Sequence, residues 1–222
     1  MKVGIVQFPG TNCEYDTQYA FEKLGASTQI LWHRETEIPD DIELVVIAGG
    51  FSYGDYLRSG AIASKAPIMK AVKAHAEAGK KVLGICNGFQ VLTETHLLPG
   101  ALKRNEHLHF ISKHHHLKVV SNRNDFLSKF EKSDVVNIPI AHHDGNFFID
   151  DEGLKELYAN EQVLTRISEI KVWMTSDPYP SSSSNAALDA FTNRVTNFNG
   201  NLAHLVSTVP AGNGHAELRR PT

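Results

Sequence analysis

The chain has 222 residues, of which 41% are hydrophobic and 21% charged, a composition typical of a folded protein with one large domain or two small ones. Its formal net charge of -3 argues against a nucleic-acid or anionic-membrane surface, and it lacks the run of about 18 apolar residues that spans a bilayer. The two cysteines, Cys13 and Cys86, are too few for a disulfide framework and fit a reducing compartment. We therefore expect a cytoplasmic protein that binds neither nucleic acid nor membrane.

Four short apolar runs in the first half of the chain predict β-strands. The runs are rich in Val and Ile, are bounded by Gly, Pro or Asp, and are too continuous for strands with one face in water. Such runs are typical of central strands in a parallel sheet. They cover residues 3–8, 28–32, 43–48 and 81–85.

Two helices are predicted between these strands. The first begins at Asn12, whose side chain can cap it, and runs through Phe21 to stop at Gly25. The second ends at Gly79, and its apolar face comprises Ile68, Met69, Val72 and Ala76. The order strand, helix, strand, strand, helix, strand predicts an α/β fold with a doubly wound, mostly parallel sheet flanked by helices. In such sheets, ligands bind at the carboxyl ends of the strands.

The second half of the chain is less regular. Further strands are predicted over residues 107–111, 116–120 and 135–141, as an antiparallel extension or on the far side of the sheet, and a helix over residues 151–160. After about residue 163 the composition changes, because Lys171 is the last lysine and a serine run follows at residues 181–184. We expect one domain over residues 1–222, with an atypical segment after about residue 163.

A glycine-flanked cysteine directly follows the fourth apolar run, in the segment Gly84-Ile85-Cys86-Asn87-Gly88. A strand that leads through Gly-x-Cys-x-Gly into a helix has the layout of a nucleophile elbow, in which a sharp turn holds the central side chain above the strand ends. The N-terminal N–H groups of the helix would favour the thiolate form of Cys86. The alternative is a small buried cysteine beside a glycine-rich turn.

A cysteine nucleophile needs hydrogen-bond donors where negative charge develops, and two places offer backbone N–H groups. Asn87 begins the helix after Cys86, and the Gly49-Gly50-Phe51 turn follows the third apolar run. Glycine is suited to a position where the backbone approaches a ligand closely. The alternative for the two glycines is a plain strand-to-loop turn.

A cysteine nucleophile also needs a base, for which the chain offers 12 histidines. The three at residues 114–116 alternate faces on a predicted strand and cannot share one metal ion, so we expect no metal site. His142 follows a predicted strand and could reach the active edge. His215 is followed two residues later by Glu217, whose carboxylate could hold the imidazole in its productive tautomer, although this short pattern also occurs often by chance.

These residues resemble the class I glutamine amidotransferases, and within them the glutaminase subunits of phosphoribosylformylglycinamidine synthase, an enzyme of purine biosynthesis. The matching segments keep the order and spacing of the family over about residues 1–163, and the stretch at residues 49–58 is characteristic of these subunits. The segments are QFPGTNC at 7–13, GGFSYGDYLR at 49–58, GICNGFQ at 84–90, LLPGAL at 97–102, RN at 104–105, PIAH at 139–142 and GN at 145–146.

The resemblance implies a flavodoxin-like layering of the sheet and a reaction in which Cys86 attacks the side-chain amide of glutamine. Ammonia leaves, and water hydrolyses the glutamyl thioester that remains. No cofactor is implied in this subunit, because the ammonia passes to a large synthetase subunit that uses ATP and Mg, and many bacteria add a small third subunit. The Asn87 N–H and the Gly49–Gly50 segment would form the oxyanion hole. The implied substrate-binding residues are Gly49, Gly50, Phe51, Asn87 and Gln90.

The chain departs from the family at its closing motif, since it contains no His-Pro-Glu sequence. His215-Ala216-Glu217 keeps the His-x-Glu spacing but falls later in the chain, so we assign His215 and Glu217 as the partners of Cys86. Two other hypotheses stay open. One is a catalytically impaired amidotransferase-like subunit whose altered C-terminal tail lacks the His-Glu pair. The other is a different elbow-cysteine α/β protein, such as a redox sensor, against which the stretch at residues 49–58 argues.

Overall fold

The computed structural model describes residues 1–167, and its strands and helices alternate in the first half of the chain. The strands are β1 (Lys2–Gln7), β2 (Ser27–Trp32), β3 (Leu44–Ile47), β4 (Lys81–Gly84), β5 (Ala101–Lys103), β6 (Ile111–Val119), β7 (Val135–His142), β8 (Asn146–Phe148) and β9 (Thr165–Ile167). The α-helices are α1 (Glu14–Lys23), α2 (Ile68–Glu77), α3 (Asn87–Glu94) and α4 (Asp151–Ala159).

The first four strands form a parallel sheet in the order β2-β1-β3-β4, which confirms the predicted fold class. Among the described strands, β1 and β3 are central, as predicted. Within residues 1–167, β2 and β4 lie at the two ends of this sheet, and most residues of β2 keep partial exposure. The parallel register brings the carboxyl ends of β1, β3 and β4 to one edge, which is where the predicted site residues follow.

Side chains alternate across the sheet and build two cores, as a doubly wound fold requires. From β3, Val45 and Ile47 pack with residues of α2 and α3 on one face, whereas Leu44 and Val46 pack with Phe21 of α1 on the other. The predicted apolar face of α2 is buried in the first of these cores. The parallel sheet is therefore covered by helices on both faces.

The second half of the described chain is antiparallel, as predicted, but within residues 1–167 its strands form separate sheets and do not extend the parallel one. The long strand β6 pairs with β7 and β9, and the short strands β5 and β8 pair with each other. The separate strand predicted at residues 107–111 is wrong. Asn105 holds this segment in turns, because its carbonyl accepts from the Leu108 N–H and its side chain donates to the His109 carbonyl. Local side-chain hydrogen bonds of this kind compete with strand formation.

The predicted Asn12 cap of α1 is also wrong, although the helix itself is present. Cys13 occupies the cap position and makes no side-chain cap hydrogen bond. Asn12 lies in a loop that pairs with the loop after β3 through a bridge between Thr11 and Gly50, and this pairing holds the Asn12 side chain against Gly50. The predicted stop at Gly25 is confirmed, since this residue has φ of 79° directly beyond the helix.

No helix within residues 1–167 combines the length and apolar character that a bilayer crossing needs.

We predict that Gly88→Ala destabilises the protein far more than Gly25→Ala does. A Cβ on Gly88 would collide with the backbone carbonyl oxygen of Ile47, and the expected cost is about 3 kcal/mol or more. A Cβ on Gly25 meets nothing within 4 Å, so that variant reports only the strain of its positive φ, about 1–2 kcal/mol. Urea unfolding of both variants measures the two costs, and equal losses would contradict the close packing of α3 on β3.

Candidate active site

The structure confirms the predicted elbow at Cys86. This residue connects β4 to α3 with φ of 51° and ψ of −106°, values that a non-glycine residue rarely adopts. The turn is tight because Gly84 and Gly88 contact each other, and a Cβ on Gly84 would lie 2.8 Å from the Gly88 carbonyl carbon. The thiol is held at the carboxyl end of the strand, with part of its surface accessible.

Two backbone N–H groups point at the Cys86 sulfur, one from Asn87 and one from Gly50. They come from different loops, the start of α3 and the turn after β3. Gly50 has φ of 132°, and a Cβ there would collide with Asn12, so only glycine fits. The Phe51 N–H donates to the Gly10 carbonyl at 3.1 Å and is therefore not a third donor. These two groups are placed to stabilise an oxyanion formed beside the sulfur.

The expected effect of the helix on Cys86 is present, since the Asn87 N–H lowers the pKa of the thiol, but burial outweighs it. Burial raises the pKa of this thiol to about 11, and the charges of Cys13 and Asp55 act in the same direction. The Asn87 and Gly50 N–H groups lower the pKa, but they do not offset the burial. Cys86 is thus a neutral thiol near pH 7 unless a base or an imidazolium is added.

The second cysteine lies on the other side of Gly49. A Cβ placed on Gly49 would be 3.4 Å from the Cys86 Cβ and 3.7 Å from the Cys13 sulfur. Burial raises the pKa of Cys13, as do the carboxylates of Asp16 and Glu14. Cys13 therefore lies next to the site, where burial and the carboxylates of Asp16 and Glu14 oppose ionisation of its thiol.

The backbone of the loop after β3 is strained, and hydrogen bonds to Pro9 and His33 hold it in place. The Tyr53 N–H donates to the Pro9 carbonyl, and the Tyr53 hydroxyl lies 2.7 Å from the His33 Nδ1. Residues with positive φ in this loop are Gly50, Tyr53, Gly54, Asp55 and Leu57. Such backbone strain persists only where the surroundings fix the conformation, and it is concentrated at functional sites.

The buried Asn87 side chain connects this loop to α3. Its Oδ1 accepts from the Ser52 N–H at 3.0 Å, and its Nδ2 donates to Asp55 at 3.2 Å and to Gln90 at 2.9 Å. Gln90 in turn donates to the Asp144 carbonyl at 2.9 Å. Gln90 is therefore at the site, as predicted, and its amide already has two protein partners. Its predicted contact with the substrate stays a prediction, as do those of Gly49, Gly50, Phe51 and Asn87.

A cavity of about 540 Å³ opens beside this network. Its walls come from residues 54–59 after β3, residues 102–104 at the end of β5, and residues 143–144 after β7. Asp55, Ser59 and Asp144 are site residues that the sequence analysis did not single out. Asp55 lies inside the characteristic stretch at residues 49–58, but the contact of Ser59 with Asp144 joins residues 85 positions apart and leaves no local sequence signal.

The histidines fall into different places. His142, which the sequence offers as a candidate at the active edge, ends β7 next to His143 of the cavity wall, and its Nδ1 lies 2.9 Å from the Asn105 Oδ1. Residues 114–116 lie in β6, so their side chains alternate faces as predicted. Among residues 1–167, no three His, Cys, Asp or Glu side chains are grouped to hold a metal ion. The predicted base His215 and its orienting Glu217 lie outside the described residues.

Comparison with known proteins identifies the family. The model of the CobB/CobQ-like glutamine amidotransferase domain matches residues 1–207. The chain belongs to this family. The match extends beyond the described residues and includes the parallel sheet, the elbow at Cys86 and the loop after β3.

Curated relatives of this amidotransferase are similar over about three quarters of its length. The phosphoribosylformylglycinamidine synthase subunit PurQ of Sulfurimonas denitrificans is 72% identical over 166 residues, which cover 75% of this chain and 74% of the relative. The subunit of the same name from Wolinella succinogenes is 59% identical over 164 residues, 74% of this chain and 75% of the relative.

A solved structure supports the same relationship. The structure of PurLQS from Thermotoga maritima contains a chain that is 39% identical to this amidotransferase, with a TM-score of 0.68 over 76% of this chain and 74% of that one. The resemblance expected from the sequence is thus confirmed at the level of the family.

We predict that Asn87→Ala weakens the amidotransferase fold more than Asn122→Ala does. The first change leaves Ser52, Asp55 and Gln90 without a shared partner, at a cost of about 3 kcal/mol. The second removes one hydrogen bond to the Phe130 carbonyl near β7, at a cost of about 1 kcal/mol. Urea denaturation compares the two free energies of unfolding. An Asn87→Ala loss no larger than that of Asn122→Ala would show that the network is not a structural link.

Proposed function

We propose that this chain is the glutaminase subunit of phosphoribosylformylglycinamidine synthase and that Cys86 is its nucleophile. The observation that carries this proposal is the strained elbow at Cys86, with the N–H groups of Asn87 and Gly50 directed at its sulfur. The names of the relatives favour an active subunit over the catalytically impaired alternative.

The proposed reaction proceeds in two stages. The Cys86 sulfur bonds to the carboxamide carbon of glutamine, the C–N bond breaks, and the nitrogen takes up a proton and leaves as ammonia. Water then attacks the glutamyl thioester, which gives glutamate and regenerates the thiol. Each stage passes through a tetrahedral oxyanion, which the two N–H groups stabilise.

This chemistry requires a base, because the described residues leave Cys86 with a pKa of about 11. We assign the base as His215 and its orienting carboxylate as Glu217. The His-x-Glu spacing supports the pair, since a carboxylate beside an imidazole fixes its tautomer and stabilises its protonated form. A protonated imidazole near the sulfur would lower the thiol pKa toward neutrality.

We further propose that the released ammonia passes to a large synthetase subunit, which uses ATP and Mg, in a cytoplasmic complex that also contains a small third subunit. The name PurLQS of the structural relative and the subunit names of the curated relatives support a complex of this kind. In this proposal residues 1–222 form one domain, and neither ATP nor a metal ion binds to it.

Cys86→Ala should abolish glutamine-dependent synthesis in the complex reconstituted with its large and small subunits, whereas synthesis from added ammonia should persist. The substitution removes the nucleophile and leaves the synthetase chemistry untouched. Product formation with each nitrogen source measures both activities. Cys13→Ala is the matched control and should retain glutamine use. A Cys86→Ala complex that still uses glutamine would refute the assignment.

His215→Ala should slow the alkylation of Cys86 by iodoacetamide at pH 7 by about tenfold or more, since a thiol of pKa near 11 is about one part in 10,000 thiolate at that pH. The rate should then rise about tenfold per pH unit up to the pKa. Glu217→Gln should have a smaller effect, and His142→Ala, at the other candidate histidine, serves as the control. Identical pH profiles for the wild type and His215→Ala would exclude His215 as the partner of Cys86.

A further inference from the structure

The Gly50 N–H, which acts on the Cys86 sulfur, belongs to a loop whose backbone is strained. Backbone φ is 53° at Tyr53 and 54° at Asp55, and non-glycine residues adopt such values only where their surroundings hold them. A donor contributes most to stabilising an oxyanion where its position is fixed before the charge develops. The position of the Gly50 N–H therefore depends on the contacts that hold this loop.

The backbone of this loop is paired with the loop after β1. The Phe51 N–H donates to the Gly10 carbonyl at 3.1 Å, and the Tyr53 N–H donates to the Pro9 carbonyl at 2.6 Å. A bridge between the two loops continues the pairing to Gly50. Because both partners are loops, these bonds transmit a position to Gly50 but do not attach it to a strand or a helix.

The Tyr53 side chain supplies an attachment of that kind. Its hydroxyl lies 2.7 Å from the His33 Nδ1, and the two rings meet edge to face with their centroids 5.7 Å apart. Burial lowers the pKa of His33 and raises that of Tyr53, so both groups are neutral near pH 7. The Phe51 ring is more than half exposed, and the buried Ser52 hydroxyl has no hydrogen-bond partner within residues 1–167, so neither side chain makes a similar link.

His33 is itself fixed to two elements of the fold. Its N–H donates to the Gln7 carbonyl at the end of β1 at 3.0 Å, and its carbonyl accepts from the Ile68 N–H at the start of α2 at 3.2 Å. The residue is buried, and its ring lies against that of Trp32. His33 is therefore a rigid support for Tyr53, and it lies outside both the elbow and the residues that line the cavity.

We propose that Tyr53 and His33 are positioning residues for the reaction, and that their hydrogen bond holds the Gly50 N–H where the oxyanion forms. This inference rests on the proposed function, in which Gly50 supplies one of the two donors. A donor that binds the oxyanion more strongly than the ground-state carboxamide lowers the barrier without raising the affinity for glutamine. Loss of the bond between Tyr53 and His33 should thus lower kcat and leave KM nearly unchanged.

The test measures glutamine-dependent synthesis by the complex reconstituted with its large and small subunits. Tyr53→Phe removes only the hydroxyl and keeps the ring, whose centroid lies 6.2 Å from that of Phe8. It should lower kcat about tenfold or more, short of the roughly 100- to 1,000-fold loss that follows removal of an oxyanion donor, and should change KM by less than about twofold. Synthesis from added ammonia should not change, because it needs no oxyanion at Cys86.

Alkylation of Cys86 by iodoacetamide separates a loss of positioning from a loss of stability. In this reaction the sulfur displaces iodide, and no oxyanion forms. The rate in Tyr53→Phe at pH 7 should stay within about threefold of the wild-type rate, because burial and the Asn87 N–H affect the thiol pKa more than the Gly50 N–H does. A variant that is merely less stable would expose the buried thiol more often, so its Cys86 would be alkylated faster.

Two variants of the partner residue test the hydrogen bond itself. His33→Leu fills the space without a polar atom and should lower kcat as Tyr53→Phe does. His33→Asn carries an amide that can donate or accept near the position of the ring Nδ1, and it should recover most of the wild-type kcat. The double variant of Tyr53→Phe and His33→Leu should lose no more than the worse single variant, because both changes remove one bond.

The matched control is Tyr158→Phe, which removes an exposed hydroxyl on α4 and should leave every rate unchanged. A wild-type kcat in Tyr53→Phe, a loss confined to KM, or faster alkylation of its Cys86 overturns this inference but leaves Cys86 as the nucleophile. Losses that multiply in the double variant do the same. His33→Asn keeps the test open where His33→Leu fails to fold, and a kcat as low as that of Tyr53→Phe would count against the pair. A wild-type complex that forms no product from glutamine overturns the proposed function instead.

Discussion

The candidate site depends on how closely α3 approaches the end of β3. Gly88 lies against the carbonyl of Ile47, and Gly84 lies against Gly88, so no side chain separates the first turn of the helix from the end of β3. This contact forces the intervening Cys86 into a conformation that non-glycine residues rarely adopt. It also sets the start of the helix, from which the Asn87 N–H acts on the sulfur. The second donor, Gly50, is positioned separately by its bridge with Thr11.

The electrostatics of the described site oppose ionisation of the nucleophile. Burial and the charge of Asp55 raise the pKa of Cys86, so the thiol is protected from adventitious reaction near pH 7. Ionisation of the Cys86 thiol must then be promoted by a further group. A base or an imidazolium close to the sulfur would supply this effect.

Rigidity of the loop after β3 is the second requirement of the site. The loop contains several residues with positive φ, each of which costs about 1–3 kcal/mol when it is not glycine. Hydrogen bonds to Pro9, His33 and Asn87 offset this strain. The loop is consequently held ready before substrate arrives, as donors for a developing oxyanion must be.

The sequence by itself determined the parallel sheet and the elbow, because apolar runs and the spacing of Gly84 and Gly88 act locally along the chain. Only the tertiary structure decided the cap of α1, the high pKa of Cys86 and the charged cavity. Each of these depends on partners distant in sequence, as when Ser59 binds Asp144 or Asn87 binds Asp55. The burial and the electrostatic environment of a site depend on all of these partners together, so a local sequence pattern does not predict them.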